Sequence, residues 1–252
     1  MAFNNRKPQK QGAHGVARVI SKRGYCSRSQ AEKLVREGHV ILRGKSVRDP
    51  ETPAYENDEI LVDGTPVTAS EFVYFAMNKP RGIVTTASDE KGRKTVMDLF
   101  REEYAKMYPG KPMPHIAPVG RLDAASEGLL LFTNDTAWAD RVLTDASHIK
   151  IYRVQVKGKP SATELKQMEA GFNVPPRIFG EKEEFMHAEC AAIASVGEKN
   201  CWLEITLSEG KNREIRRMLA HLGYEVLRLM RIQFDNFTLN DLKPGEIRAI
   251  QV

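Results

Sequence analysis

The chain has 252 residues and 28.4 kDa, enough for one or two domains with a sizeable core. Its 41% hydrophobic and 28% charged residues are those of a globular protein, and no apolar run approaches the ~20 residues of a membrane span. The N-terminal stretch MAFNNRKPQKQGAHG lacks the apolar centre of a secretory signal, so a cytoplasmic location without membrane association is expected. Three cysteines (Cys26, Cys190, Cys201) without CxxC spacing suggest buried thiols rather than a disulfide framework or a zinc site. The six histidines form no HxxxH or HExxH pair, and no metal is expected.

Charge is unevenly spread. Residues 1–48 carry 12 Lys/Arg against Glu32 and Glu37, a net of +10, whereas the whole chain nets +5. The other 204 residues therefore net −5. A basic front on a mildly acidic body is the footprint of a phosphate-backbone binder joined to something else. For residues 1–15 alone, rich in Lys, Arg, Gln, Asn and Gly, a disordered basic tail is the reading.

Residues 16–62 carry organised signals. A short helix over Ala17–Ser21 comes first, with Arg18 on it and Lys22 and Arg23 after it. Ser27 and Gln30 have capping-box spacing, Ala31, Leu34 and Val35 recur at helical intervals, and Gly38 stands where that helix ends. Arg28, Lys33 and Arg36 fall on its solvent side. His39–Leu42 reads as a strand, Arg43-Gly44 as a tight turn, and Asp58–Val62 as a second strand closed by Asp63-Gly64. Residues 63–71 read as a linker.

From Phe72 onward the pattern is α+β. Glu71–Met77 reads as a strand, Asn78–Gly82 as a turn and Ile83–Thr86 as a return strand. The run Gly128-Leu129-Leu130-Leu131-Phe132-Thr133 is a buried strand. Helices are expected at 136–143, at 162–170 behind a Ser161/Glu164 capping box, and at 212–222; strands at 151–157, 201–207, 225–232 and 246–252. Irregularly placed strands with a few helices suggest a mixed or antiparallel sheet with flanking helices rather than a regular βαβ winding. No repeat of fixed period occurs.

Three segments carry chemistry. Gly120-Arg121-Leu122-Asp123 puts a carboxylate at the mouth of a core strand; Lys150-Ile151-Tyr152-Arg153-Val154 alternates a tyrosine with apolar residues; Glu209–Met218 leads a glycine turn into a basic helix start. Each has an ordinary alternative: a turn aspartate, a core tyrosine, a solvated arginine face.

The stretch GYCSRSQAEKLVREGHVILRGKSV resembles the small RNA-binding module of ribosomal protein S4, through Ser27, Arg28, Ala31, Leu34, Val35, Gly38 and Val40. It departs from it in lacking a leucine in the preceding helix and in reading Arg43-Gly44 where Asn-Gly is common. The three later segments, in this order, resemble the ribosomal-RNA pseudouridine synthases of the RsuA type, which carry an S4-like module ahead of the catalytic domain. The most specific element is Gly120-Arg121-Leu122-Asp123 followed by Ser126-x-Gly128-Leu129-Leu130; Met77–Pro80 and Leu242–Glu246 also match.

That resemblance implies a catalytic domain over 72–252 of pseudouridine-synthase type, working without cofactor. It implies Asp123 as catalytic carboxylate, Tyr152 as the aromatic beside the flipped base, and Arg216 as the basic residue paired with Asp123. Arg121 is the candidate wedge at the displaced base. Lys211, Arg213 and Arg217 are candidate phosphate contacts, as are Arg18, Lys22, Arg23, Arg28, Lys33, Arg36 and Arg43 in the module. Lys79 and Arg81 are read as a turn that extends this surface or is simply solvated. Glu127 is a weak candidate for a second carboxylate. The expected partner is ribosomal RNA or a ribosomal subunit precursor, more in keeping with the large subunit than the small, and the expected state a monomer. A non-catalytic RNA-binding assembly factor and an RNA N-glycosidase are the alternatives. Segment 104–117 reads as a long substrate-facing loop.

Overall fold

The computed structural model describes residues 12–86, 89–145, 147–176 and 182–252. The chain divides into two compact units, one of residues up to Val73 with 114–116 and 134–136, the other of the remainder.

The smaller unit contains β1 (His14–Gly15), α1 (Val16–Lys22), α2 (Arg28–Glu37), β2 (Val40–Leu42), β3 (Lys45–Val47), β4 (Pro53–Ala54), β5 (Ile60–Val62) and β6 (Thr65–Pro66). α2 starts where its capping box requires: the Gln30 N–H donates to Ser27 Oγ and the Ser27 N–H to Gln30 Oε1. It stops at Gly38, whose φ of 88° is left-handed. A four-stranded antiparallel sheet runs β3-β2-β5-β6. Both hairpins turn on two residues of positive φ, Arg43-Gly44 (51°, 76°) and Asp63-Gly64 (49°, 77°), the geometry that matches strand twist. Val16, Val19 and Ile20 of α1 and Ala31 and Val35 of α2 bury against Val40, Leu42, Ile60 and Val62.

Two sequence expectations shift here. Residues 1–11 of the expected basic tail lie outside the described residues, while His14–Gly15 already pairs with Pro53–Ala54. The stretch read as linker adds β6 to the sheet and Val67 to the core, because the hairpin at Asp63-Gly64 sends the chain back along β5.

The larger unit contains β7 (Tyr74–Lys79), α3 (Val96–Met107), β8 (Ala117–Val119), β9 (Glu127–Thr133), α4 (Thr136–Thr144), β10 (Lys150–Lys157), α5 (Ala162–Ala170), β11 (Phe172–Val174), β12 (Glu184–Met186), β13 (Cys190–Val196), β14 (Asn200–Leu207), α6 (Glu214–His221), β15 (Val226–Phe234), β16 (Phe237–Thr238) and β17 (Ile247–Ala249). Its mixed sheet follows the order β13-β14-β10-β15-β9-β7-β17, antiparallel except for the parallel pair β9–β15. β9 is apolar over Leu129–Phe132 because both its faces are covered there. Leu129 and Leu131 pack with Trp138 and Val142 of α4. Phe132, on the alternate face, meets Phe100 of α3 at 5.0 Å between ring centres, and Phe100 meets Phe75 of β7 at 5.2 Å.

Three elements differ from the expectations. Ile83–Thr86 forms no strand, only a bridge from Val84 to Thr95. The helix α3 was not anticipated, although Thr95 and Asp98 form a capping box and Val96, Met97, Phe100 and Tyr104 recur at helical spacing. It extends into the segment read as a loop from 104, and buries Tyr104 there. Of the three thiols only Cys201 is buried; Cys26 is intermediate and Cys190 exposed.

Candidate active site

Asp123 sits in the loop between β8 and β9, and buried polar contacts fix that loop from behind. Gly120 opens it with a φ of 72°. The Thr85 hydroxyl donates to the Leu122 carbonyl at 2.7 Å, and the Ser126 N–H to the Asp123 carbonyl at 2.9 Å. Lys79, at the end of β7, is fully buried (0% exposed) and donates to the carbonyls of Ser126 (2.8 Å), Pro80 (3.0 Å) and Asp123 (3.1 Å). Burial lowers its pKa to about 8, against the opposing pull of Asp123 and Glu127. The expectation of a phosphate-facing or solvated Lys79 is therefore overturned: its ammonium is consumed by the loop.

Gly128 is equally determined. At φ 102° it lies against β15, and a Cβ there would stand 2.3 Å from the Arg231 carbonyl oxygen. Only glycine allows β9 to run parallel to β15 so closely, and that pairing brings Arg231 to the cavity beside Asp123.

The cavity is about 380 Å³ and is lined by Arg121, Asp123, Tyr152, Arg213, Glu214 and Arg231, among others. Tyr152 projects from β10 and is buried, between Ile205 of β14 and Arg231 of β15 in register. Arg213 is the partner of Asp123: its Nη1 donates to Oδ2 at 3.1 Å, with each side chain a little over one-third exposed. Arg213 caps α6 with a left-handed φ of 52°, which turns its side chain back toward the β8–β9 loop.

Arg216 was expected in that pairing and is placed behind it. Its Nη2 donates to the Ala125 carbonyl at 3.0 Å and its Nη1 to that of Val226 at 3.4 Å, so it braces the loop backbone. Burial lowers its pKa, as does nearby Arg213, while Asp123 acts in the opposite sense. Arg217 is also drawn inward, to Glu184 at 2.5 Å and to the Pro175 carbonyl at 3.1 Å, with its side chain 12% exposed. Lys211 is tied to Glu209 and to the Phe185 carbonyl. Glu127 is held by a bidentate pair with Arg228 at 2.9 and 3.0 Å, which occupies both of its oxygens.

Glu214 was not singled out from the sequence. It is 3% exposed, it lines the cavity, and its Oε2 accepts the Lys211 N–H at 3.0 Å. Burial raises its pKa to about 7, and neighbouring Glu209 pushes the same way. The signal was its place at the first helical position among the cations Lys211, Arg213, Arg216 and Arg217.

In the smaller unit, Arg18 is exposed. Lys22 pairs with Glu56, Arg28 and Arg36 with Glu32, Lys33 with Glu37, and Arg43 with Asp58. Surface pairs of this kind contribute only about 0–1 kcal/mol, so a phosphate can displace the carboxylate. Arg23 differs: it donates to the carbonyls of Val67 (2.6 Å), Glu56 (3.0 Å) and Asp58, and burial lowers its pKa. It is a structural clasp rather than a free cation.

Residues 73–221 match the family model for RNA pseudouridylate synthase, and residues 16–60 that of the S4 domain. The chain belongs to the RNA pseudouridylate synthase family. A relative in Bacillus subtilis (strain 168), named ribosomal large subunit pseudouridine synthase B, is 35% identical over 93% of this chain and 91% of its own length. An uncharacterized RNA pseudouridine synthase of Rickettsia conorii is 34% identical over 94% and 96%. A crystal structure of a pseudouridylate synthase superposes with a TM-score of 0.60 at 26% identity, over 94% of this synthase and 96% of that one. The α+β architecture with an N-terminal S4 domain is thus the one expected, and the chain is an RNA pseudouridine synthase.

Proposed function

We propose that the protein converts uridine in ribosomal RNA, in the large subunit, to pseudouridine, with Asp123 as the catalytic carboxylate. The observation that carries this reading is the placing of Asp123. Its carboxylate lines a base-sized cavity together with the buried Tyr152, pairs with Arg213 and is set on a loop that Lys79 and Arg216 brace.

In the reaction the N1–C1′ bond of uridine breaks, a C5–C1′ bond forms, a proton leaves C5 and one ends on N1. No electron is gained or lost. The uridine must first leave its stack. Tyr152 supplies an apolar face for it, and Arg121, exposed at the rim, fills the place it vacates or holds phosphate. Asp123 acts at the ribose or base and then assists removal of the C5 proton, its carboxylate held in place by Arg213. The S4 domain supplies sequence-independent phosphate contacts, through Arg18 and the exposed cations of α2, and these raise affinity for the substrate. The name of the Bacillus relative supports the large subunit as target.

Carbodiimide mapping of both ribosomal RNAs, naked and in subunits, after incubation with wild type and Asp123→Asn tests this. A stop seen only with wild type, in large-subunit RNA, is the expected result. A stop in small-subunit RNA overturns the target, and no stop on any substrate despite tight binding overturns catalysis.

A further inference from the structure

Two cavity-lining side chains carry buried polar atoms without a partner among the described residues, and they are complementary. Glu214 Oε1 is an acceptor; Arg231 Nη2 is a donor. Both side chains are otherwise anchored. Glu214 Oε2 accepts the Lys211 N–H, and Arg231 Nε donates to the Leu129 carbonyl at 2.8 Å, its guanidinium lying 4.9 Å from the centre of the Phe234 ring. The groups facing Glu214 are Glu209 and Lys211 from the turn before α6 and Lys150 from β10. Lys150 spends its ammonium on the Ser208 carbonyl at 3.0 Å, and Lys211 is occupied by Glu209. A proton shared with Glu209 takes one lone-pair direction of the Glu214 carboxyl, and a carboxyl has about four.

Buried polar atoms are ordinarily satisfied, and an orphan at a cavity wall is satisfied by what enters the cavity. The geometry points to Glu214 as the acceptor for the N3–H of the extruded uracil, with Arg231 as donor to a carbonyl oxygen beside it; this rests on the isomerisation proposed above.

The chemistry of the turn selects that edge. A half-turn of uracil about the line through N3 and C6 carries C5 to the place of N1 and exchanges O2 with O4. N3–H does not move. An acceptor at N3 therefore holds the base before and after the turn, and a donor beside it meets one carbonyl oxygen and then the other. Glu214 is in this way a positioning and specificity residue. Cytosine, whose N3 carries no hydrogen, leaves the Glu214 oxygen unsatisfied and is rejected.

The test uses the full chain and RNA carrying the target uridine or, in its place, 3-methyluridine. Wild type is expected to convert the uridine RNA and to turn over the methylated RNA at least 100-fold more slowly, because the methyl group meets Glu214. Glu214→Ala is expected to lose at least tenfold on uridine and to bring the two substrates within about threefold of each other, since the space vacated by the carboxyl accepts the methyl group. A merely structural Glu214 would lower both rates and keep their ratio, and that result overturns the inference. Glu214→Gln, which keeps the shape and the Lys211 contact, serves if the alanine variant does not fold. Its amide presents N–H toward N3–H, so turnover should fall at least tenfold at unchanged RNA affinity; undiminished turnover overturns the inference. If wild type fails on uridine itself, it is the proposed reaction that falls.

Discussion

Lys79 Nζ lies 3.1 Å from the backbone carbonyl of Asp123, the residue whose side chain faces the cavity. One buried ammonium thus holds the main chain of Asp123 while its carboxylate stays free for Arg213. Lys79→Met keeps the length and removes the donors, leaving three carbonyls without that partner. We expect a loss of about 3 kcal/mol in urea unfolding, and a turnover loss that persists at temperatures where the variant is fully folded. Undiminished turnover in folded protein would show that the loop holds its shape without this contact.

The two arginines near Asp123 separate by what they touch. Arg213→Gln breaks an ion pair between partly exposed groups, so stability should change by less than about 1 kcal/mol while turnover drops at least tenfold. Arg216→Gln frees the carbonyls of Ala125 and Val226, and should cost about 1–3 kcal/mol as well as activity. Denaturation curves and single-turnover rates on both variants decide this, and the reverse ordering would mean that the Asp123 partner changes when RNA binds.

Gly128→Ala must both hold a residue at φ 102° and place a Cβ 2.3 Å from a backbone oxygen. The β9–β15 pair cannot absorb this without separating. An unfolding loss of about 3 kcal/mol or more is expected, read by thermal or chemical denaturation; a loss below 1 kcal/mol would show that the strands slide apart freely.

The pKa of Glu214, raised to about 7, has a definite sign in stability. Between the ordinary carboxyl value and about pH 7 the folded chain holds a proton that the unfolded chain has released. This contribution is full below pH 4.5, and it is lost as pH rises through about 7. Glu214→Gln should therefore flatten the decline in melting temperature between pH 5 and 8. A melting temperature that changes over this interval by the same amount in both proteins would assign the dependence to other groups.

In the S4 domain, Arg18→Ala should lower the salt dependence of RNA binding by about one counterion, a slope change of about 0.7–0.9, with no change in stability. Arg23→Ala should instead destabilise the domain, because the carbonyls of Val67, Glu56 and Asp58 lose their donor. Filter binding across a salt series and thermal melting distinguish the two.

Most features with a local cause were legible in the sequence, the Thr95/Asp98 box of α3 being the one passed over. The Ser27/Gln30 and Ser161/Glu164 boxes placed α2 and α5, the two glycine turns placed the hairpins, and the apolar run placed β9. The Asp123 motif led to the cavity because a carboxylate between a glycine turn and a core strand has few places to go. Long-range partners were not legible. Nothing in the order of Lys211, Arg213, Arg216 and Arg217 tells which cation turns toward Asp123 and which three are spent on backbone carbonyls or acids; the left-handed Arg213 decides that. Lys79 reads as a turn cation until the loop that wraps it is seen. Glu214 shows in the sequence only as an acid among cations; its burial, which sets it apart, is a property of the assembled sheet.

The parallel pairing of Glu127–Gly128 with Met230–Arg231 joins strands more than 100 residues apart in sequence, and β17 pairs with β7 from the opposite end of the unit. During synthesis, a ribosome that has released the Asp123 loop has yet to make the strand that closes the cavity. The strand pairings of the smaller unit, in contrast, all fall within His14–Pro66. The cavity is complete only once β15 has been made, because that strand brings Leu229, Arg231 and Phe234 to its wall. Assembly governed by such distant contacts is also slow, which sets a delay between translation and the first modified nucleotide.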